Sequence, residues 1–440
     1  MFTFTYVIWR MVKNLRKPGE IIEAAEKSDV EFVQLQFVSI EGKVKSMTVH
    51  TSQFGEAIEE GWGFDGSSVP GYAKIEESDL VLIPDLDTFK VLPWKPGGKG
   101  IARVLCGVCL PDGTPHGSDP RHVLDKALRT AEGKGYKFLV GPEIEFYFFK
   151  NGKKPLDEGE YMDYAPFDKA EDLRLNLAFN LQRMGFTVEK IHHEVNPGQN
   201  ELDFKYSDAL TTADNLVLSR QALKALGDEH GLEVDYSPKP LPDGMGSGLH
   251  CHHSLADAKT GANLFYDSSG EYHMSDLARH FMAGELEHAP ALTALAASTP
   301  ESYKRLVPGY EAPVYICWGG PNRSVLIRVP GYELRRGGGM RFEYRAPDPL
   351  CNPYLLFAGM LAVGLDGVKR KLDLGPPTTE NVYKMSEEKR RKRGIATLPK
   401  SLDEALDALE SDEIVREALG ETMFERYVGM KREEAIGTPT

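Results

Sequence analysis

The side chains able to do chemistry lie in four short stretches. They are Gly141-Pro-Glu143-Ile-Glu145-Phe146, His192-His-Glu194 through Glu201, Gly246-Ser-Gly-Leu-His250-Cys-His252-His-Ser254, and Met340-Arg-Phe-Glu343-Tyr-Arg345. Apolar and aromatic residues flank Glu143 and Glu145, so their stretch reads as a buried strand, and alternation puts both carboxylates on one face. Neighbouring carboxylates stripped of water persist only when protonated, paired with cations or bound to metal. The second stretch raises the same problem. Taking Asn196 to Gln199 as a four-residue turn sets Glu194 opposite Glu201, with His192 on their face.

On a strand, His250, His252 and Ser254 project together, two imidazoles and a hydroxyl that suit a metal and then phosphate oxygens. The Gly-Ser-Gly loop before them is neither a dinucleotide fingerprint nor a P-loop. Glu343 falls between Arg341 and Arg345 on one strand face. Glu143, Glu145, Glu194, Glu201, Glu343 and His250, without a thiolate, favour Mg²⁺ or Mn²⁺ over zinc, and so many carboxylates exceed the needs of one ion. For any single pair, a solvated strand with ordinary salt bridges explains the residues as well. For all of them within apolar strands it does not. Arg305, Arg323, Arg328, Arg341 and Arg345 lie near Gly- and Pro-rich turns in a chain that is acidic elsewhere. Guanidinium forks suit carboxylates and phosphates, and metals with arginines around a cleft are what phosphoryl transfer requires.

The elements that must hold these residues follow from periodicity. Pro18 to Ser28 reads as a helix, Val30 to Ser39 as a half-buried strand, and Glu41-Gly42 as the turn into Lys43 to His50. Phe64 to Tyr72 is small, polar and Gly-rich, a surface loop. Leu80 to Pro84 and Ile101 to Leu110 close a small, mostly antiparallel unit, and Pro111 to Pro115 marks a boundary. Asp119-Pro120 starts a helix that Gly133 ends. A helix over Asp168 to Met184, the hairpin Val188 to Tyr206 and a helix over Asp214 to His230 follow the glutamate strand. The C-terminus is helical, with Ser401-Leu-Asp-Glu404 as a capping box. The fold class is α+β.

A chain of 440 residues, 41% hydrophobic and 27% charged, is ordinary for a globular protein and long enough for two or three domains. Its net charge of −14 argues against nucleic-acid binding as its main business. The 5 cysteines form no evident framework and fit a reducing, cytoplasmic setting. Cys106-Gly-Val-Cys109 has no second Cys/His pair at zinc spacing and is structural. No apolar run reaches the roughly 18 residues of a membrane span. Met1 to Arg16 begins aromatic and ends basic, the reverse of a signal peptide, and reads as an extra edge strand or as an extension ahead of Met11. Lys389-Arg-Arg-Lys-Arg393 is a solvated helix end.

Along almost its whole length the chain resembles type I glutamine synthetases of the bacterial and archaeal kind, in the alpha-type branch. The likeness rests on Phe64-Asp-Gly-Ser-Ser68, Gly141-Pro-Glu-Ile-Glu-Phe146, His192-His-Glu194 with Pro197-Gly-Gln-Asn-Glu201, Lys239-Pro240 and Gly246-Ser-Gly-Leu-His250. Lys304 to Pro313, Asn322-Arg-Ser324, and Asp348-Pro with Asn352-Pro-Tyr354 complete it, all in family order. The resemblance implies an N-terminal extension (1–17), a small β-grasp-like domain (18–112) and a catalytic domain (113–440) on a curved antiparallel sheet flanked by helices. It implies ATP-dependent ligation of ammonia to L-glutamate through γ-glutamyl phosphate, serving nitrogen assimilation.

By the same resemblance, Glu145, Glu194 and Glu201 would hold one Mg²⁺ or Mn²⁺, and Glu143, His250 and Glu343 another. Glu189, His252, His253, Ser254, Arg323 and Arg328 would line the ATP site. Met245, Gly246, Arg305, Glu311 and Arg345 would hold glutamate, and Asp65, Ser68, Tyr161 and Glu311 ammonium. Asp65 is the candidate base, Glu311 sits on the Pro308-Gly309-Tyr310 flap, and Arg323 steadies the transferring phosphoryl group. Sites would be shared between neighbours in a homo-oligomer, hexamer or dodecamer, with a small regulatory protein or metabolite effector as a further partner.

Departures from the family pattern are few. Met245 stands where Asn is usual, and Gly437 to Thr440 lack the usual Trp-containing tail, which leaves the ring number open. Tyr383 occupies the adenylylation position with different flanks, and Lys74 replaces an Arg often seen in feedback-inhibited members. The competing readings are a γ-glutamyl ligase for an amine or polyamine, and a catalytically silent oligomer. The intact Asp65 loop with Tyr161 favours ammonia, and the filled ligand set disfavours silence.

Overall fold

The computed structural model describes residues 16–94, 98–331 and 339–437. The readings of Met1 to Arg16 (Arg16 apart) and of the chain end after Gly437 fall outside the described residues. The N-terminal unit runs α1 (Pro18–Lys27), β1 (Val30–Val38), β2 (Val44–His50), α2 (Thr51–Glu60), β3 (Trp62–Asp65), β4 (Asp79–Pro84), β5 (Lys90–Val91) and β6 (Gly100–Cys109). Among the described residues its sheet is ordered β2-β1-β6-β4-β3, with β5 beside β6. Only β1 and β6 run parallel, so the unit is mostly antiparallel as expected. The expected loop from Phe64 begins instead with the last two residues of β3, Phe64 and Asp65, and continues as a 3₁₀ turn over Gly66–Ser68.

The larger unit begins with α3 (Pro120–Gly133), β7 (Tyr136–Lys150), β8 (Lys154–Pro155), α4 (Glu171–Arg183), β9 (Val188–His193) and β10 (Gln199–Phe204). Next come β11 (Ser207–Asp208), α5 (Ala209–Glu229), β12 (Glu233–Asp235), β13 (Leu249–Asp257), α6 (Asp276–Glu287), α7 (Ala289–Ala296) and α8 (Ser302–Arg305). Four short strands follow, β14 (Tyr315–Ile316), β15 (Trp318–Gly319), β16 (Ile327–Arg328) and β17 (Phe342–Tyr344), then α9 (Pro353–Arg370). The chain closes through α10 (Glu387–Lys392), β18 (Ala396–Thr397), α11 (Leu402–Glu410), α12 (Glu413–Leu419) and α13 (Glu421–Gly437).

The glutamate strand β7 is the spine of a sheet ordered β15-β16-β17-β13-β7-β10-β9, with β8, β11 and β12 also on β7. Its pairs are antiparallel except β15 with β16. Phe138, Val140, Ile144, Phe146 and Phe148 are buried on one face of β7 against the helical layer of α3, α5, α6 and α9, which leaves the opposite face to the polar residues. α5 starts at Ala209, ahead of the expected Asp214, because Asp208 accepts from Thr211 N at 3.0 Å and caps it. Asp214 is spent elsewhere. Arg121 grips it through Nε at 3.0 Å and reaches Asp85 of the N-terminal unit at 2.7 Å, a buried charge bridge between the units. All 5 cysteines are free and buried, and burial pushes the Cys109 thiol up to about 12, in keeping with a structural role. The basic run ends α10 in solvent, where Arg393 pairs with Glu380 at 3.1 Å.

Candidate active site

Cross-strand register builds the site as three rows on one face of the large sheet. Arg328 of β16, Glu343 of β17, His252 of β13 and Gly141 of β7 lie in the first. His250, Glu143, Asp203 and Lys190 form the second, and Glu145, Glu201 and His192 the third. Residues directly opposite share a face, so the side chains of these residues, Gly141 having none, point into the same trough. The β9–β10 hairpin differs from expectation by two residues. His192 faces Glu201, and Glu194 donates its backbone N–H to Gln199 O at 2.9 Å, so the turn is Val195 to Gly198. A shift of two preserves the face, and Glu194 still joins the trough.

The trough is charged and largely buried. Glu143 Oε1 meets His252 Nε2 at 2.8 Å, and Glu194 Oε1 meets His192 Nε2 at 3.0 Å. Glu145 accepts from Gly248 N at 2.9 Å and from Gln199 Nε2 at 3.2 Å. Burial, then the charges of Glu194 and Glu201, push the Glu145 carboxyl up to about 8. Glu343 is fully buried and ion-paired by Arg328 and Arg345, which with His252 outweigh burial and hold its carboxyl at about 2. Arg341, expected beside it, instead donates from Nε to His252 Nδ1 at 3.2 Å, because strand pairing brings Arg328 opposite Glu343. Arg305 is buried and donates to Ala346 O at 2.7 Å and Arg345 O at 3.1 Å.

A divalent cation fits this donor set. Buried His250 Nδ1 has no hydrogen-bond partner, yet lies 3.5 Å from Glu143 Oε2 and 3.9 Å from Glu343 Oε1, while Nε2 is 3.9 Å from Glu145 Oε1. An orphaned imidazole nitrogen ringed by carboxylates at such distances asks for a cation between them. Ligand atoms gather within 4.8 Å as Glu143–Glu201–His250, Glu143–His252–Glu343 and His192–Glu194–Glu201. Oxygen-rich donors without thiolate suit a hard ion.

The trough opens into a cleft of about 450 Å³ whose wall includes Glu145, Glu194, Glu201, Met245, Gly246, His250, Arg305, Glu311, Arg323 and Arg345. Those expected residues are brought together. Others are not. His253 lies on the opposite face of β13, fully buried among Phe138, Phe265, Phe281 and Phe342, with Nε2 3.1 Å from Glu285. Its inclusion with His252 is corrected by strand alternation, which sends adjacent side chains to opposite faces. Ser254 is half-buried on the trough face, and Glu189 is exposed on the edge strand β9. Asp65 and Ser68 do not line the cleft within one chain. Asp65 is exposed and accepts from Ser67 Oγ and Ser68 Oγ at 2.6 Å each, bonds that lower its pKa. Tyr161 packs edge-on against His192, centroids 5.4 Å apart.

The Glu311 flap is tied down at three points. Lys239 Nζ lies 3.7 Å over the Tyr310 ring, Arg345 Nη2 donates to Glu311 O at 3.2 Å, and the Tyr383 hydroxyl donates to Ala312 O at 2.7 Å. Those ties hold Glu311 at φ 57°, a conformation strained for a residue with a side chain. Sequence reasoning missed Lys190, Asp203 and Gln199, although Asp203 and Gln199 each stand two residues from Glu201 on the same strand, and Lys190 two from His192. It also missed the network behind the hairpin, where Asp157 Oδ1 binds His193 Nε2 at 3.0 Å and Gly198 N at 2.8 Å. Nothing but spatial neighbourhood marks that one.

A β-grasp sheet set against a curved sheet whose trough gathers carboxylates, imidazoles and arginines is the plan of a metal- and ATP-dependent ligase. Known proteins agree. The family described as "Glutamine synthetase, beta-Grasp domain" matches residues 29–111, and "Glutamine synthetase, catalytic domain" matches residues 117–437. The chain is 45% identical over 429 residues to "Glutamine synthetase" of Methanosarcina mazei, covering 96% of this chain and 95% of that one. It is 49% identical over 411 residues to "Glutamine synthetase" of Pyrococcus woesei, covering 92% and 90%. A solved structure of Plasmodium falciparum glutamine synthetase superposes with a TM-score of 0.85 at 26% identity, covering 96% of each chain. A GmaS/ADP complex gives 0.85 at 30%, covering 94% and 95%. The chain belongs to the glutamine synthetase family.

Proposed function

We propose that the chain joins ammonia to the side-chain carboxyl of L-glutamate, using ATP, to give L-glutamine. The observation that carries this is the single trough in which acids, imidazoles and arginines meet beside a flap. A carboxylate is a poor electrophile, so its oxygen first attacks the γ-phosphorus of ATP; the bond to ADP breaks and an acyl phosphate forms. Arg305 and Arg345 at the cleft wall suit the glutamate carboxyls, and Arg323 and Arg328 suit the phosphates. Ions held by the carboxylates would neutralise the nucleotide and orient the substrate carboxylate. Ammonia then attacks the acyl carbon, phosphate leaves, and the nitrogen gives up its proton.

Asp65 is our candidate to bind ammonium and take that proton. It is anionic, exposed and outside its own chain's cleft, which suits service at a neighbour's cleft in a ring. Glu311, tied over the cleft, excludes water from the acyl phosphate and faces the incoming nitrogen. Among the described residues no helix is long and apolar enough to cross a membrane. The test is product formation by purified protein with ATP, glutamate, and either ammonium or a panel of amines. Glutamine with matching phosphate from ammonium is the expected result; phosphate release that needs an alkylamine and ignores ammonium overturns the reading. Asp65→Ala is expected to remove glutamine synthesis and spare Mn²⁺ binding, and normal synthesis would sink the base assignment.

A further inference from the structure

We propose that Lys190 is a resident cation of the metal site, a fixed positive charge that holds the carboxylate trough together before any ion arrives and opposes the ions when they bind. The proposal rests on the metal-site reading above and adds a residue to it. Lys190 stands on the edge strand β9, directly opposite Asp203, in the row that continues through Glu143 to His250. Its Nζ lies 3.1 Å from Glu201 and 3.4 Å from Glu143, and closest of all to Asp203. All three carboxylates are largely buried, whereas the Lys190 side chain is 48% exposed. The stem therefore comes over the rim from solvent and delivers its ammonium inward, as long basic side chains do.

Charge explains why the position matters. Glu343 is neutralised by Arg328 and Arg345, which leaves Glu143, Glu145, Glu194, Glu201 and Asp203 as the trough's other acids. Lys190 is the basic side chain that reaches three of those five, Glu143, Glu201 and Asp203. Asp203 is outside both ligand sets assigned above, so it is free to serve as the anchor that fixes the ammonium. The ammonium is thus ringed by three carboxylates, and its stem reaches solvent. Glu143 and Glu201 also have His252 and His192 beside them, but Asp203, directly opposite Glu143, is ion-paired by Lys190, and like charges opposite one another destabilise a sheet.

The experiment uses the intact protein and Lys190→Met, which keeps the stem and removes the charge, with Lys190→Arg as the conservative control. Two readouts are taken, thermal unfolding in EDTA and Mn²⁺ affinity by calorimetry. Lys190→Met should unfold several degrees below wild type in EDTA, yet bind Mn²⁺ about ten-fold more tightly, since a neighbouring positive charge has gone. In saturating Mn²⁺ the melting gap should close, and Lys190→Arg should track wild type. Equal melting in EDTA together with equal affinity would make Lys190 an ordinary solvated lysine and overturn the proposal, as would weaker Mn²⁺ binding by Lys190→Met. Absence of saturable Mn²⁺ binding by wild type would instead refute the metal-site reading, a result separable from the EDTA gap.

Discussion

Replacing Glu343 by Gln tests the electrostatics of the trough at its deepest point. The carboxylate is fully buried, Arg328 pairs with one oxygen and Arg345 with the other, and both guanidiniums are buried with it. Gln preserves volume but removes the charge, leaving two guanidiniums buried without their counter-ion. Breaking a buried pair in this way costs about 3–5 kcal/mol. Unfolding entropy of roughly 2 cal/mol/K per residue gives this chain of 440 residues about 0.9 kcal/mol/K, so the loss lowers the melting temperature by about 4 °C if the whole chain unfolds together. The assay is thermal unfolding in EDTA at pH 7.5 and a fixed protein concentration, since any ring makes melting concentration-dependent. Saturating Mn²⁺ should widen the gap, because wild type then gains binding energy that the variant, lacking one ligand, gains less of. A variant melting within 1 °C of wild type in EDTA (roughly the shift from a 1 kcal/mol loss) would refute the idea that Glu343 is the counter-ion of both arginines.

Two further outcomes follow from single contacts. Tyr383→Phe removes the hydroxyl tie to Ala312, worth about 1 kcal/mol, or roughly a five-fold rise in the open flap population; phosphate should then be released in excess over glutamine, and a ratio that stays at unity with unchanged glutamate KM would count against the tie. His288 sits between Asp412 at 2.6 Å and Asp366 at 3.2 Å, and these carboxylates outweigh burial to raise its pKa above 6.5. A raised folded pKa gives stability that is complete below the unfolded value and lost as pH rises through the folded one. His288→Gln should therefore lower the melting temperature more at pH 6 than at pH 9, and an equal loss at both would remove the charge from the explanation.

Strand parity made much of the site legible from sequence. Glu143 with Glu145, and His250 with His252, needed only the two-residue repeat and an apolar setting. The hairpin register came out two residues wrong because turn residues alone did not distinguish Val195–Gly198 from Asn196–Gln199, yet the trough survived because two is the period. Contacts set by pairing between distant strands were beyond reach. Nothing local to Glu343 says that Arg328 will lie opposite it, and Arg341 looked equally suitable. Lys190 and Asp203 join the site through the pairing of β9 and β10 with β7, which their own segments do not announce. The helix expected from Asp214 starts five residues earlier, at Ala209, where Asp208 caps it, and Asp214 answers Arg121 across the sequence. Asp65 was readable as a loop acid, but where that loop acts depends on what stands beside the chain.

The three rows of the trough have a bearing on how the molecule matures. Row partners run from Gly141 to Glu343, and the strands bearing them join through β10 and β13 on β7 and through β17 on β13. A slip of one residue in any of those pairings would turn a whole set of donors towards the helical layer. If these donors hold ions as proposed, the set would act as a check on assembly: half a sheet offers at most half a coordination sphere. Such ions would gain full purchase only once the most sequence-distant strand has docked, and distant docking is the slow part of folding. Ion affinity should accordingly favour the finished sheet over every partly paired intermediate, so divalent ions in the medium would select correctly registered chains.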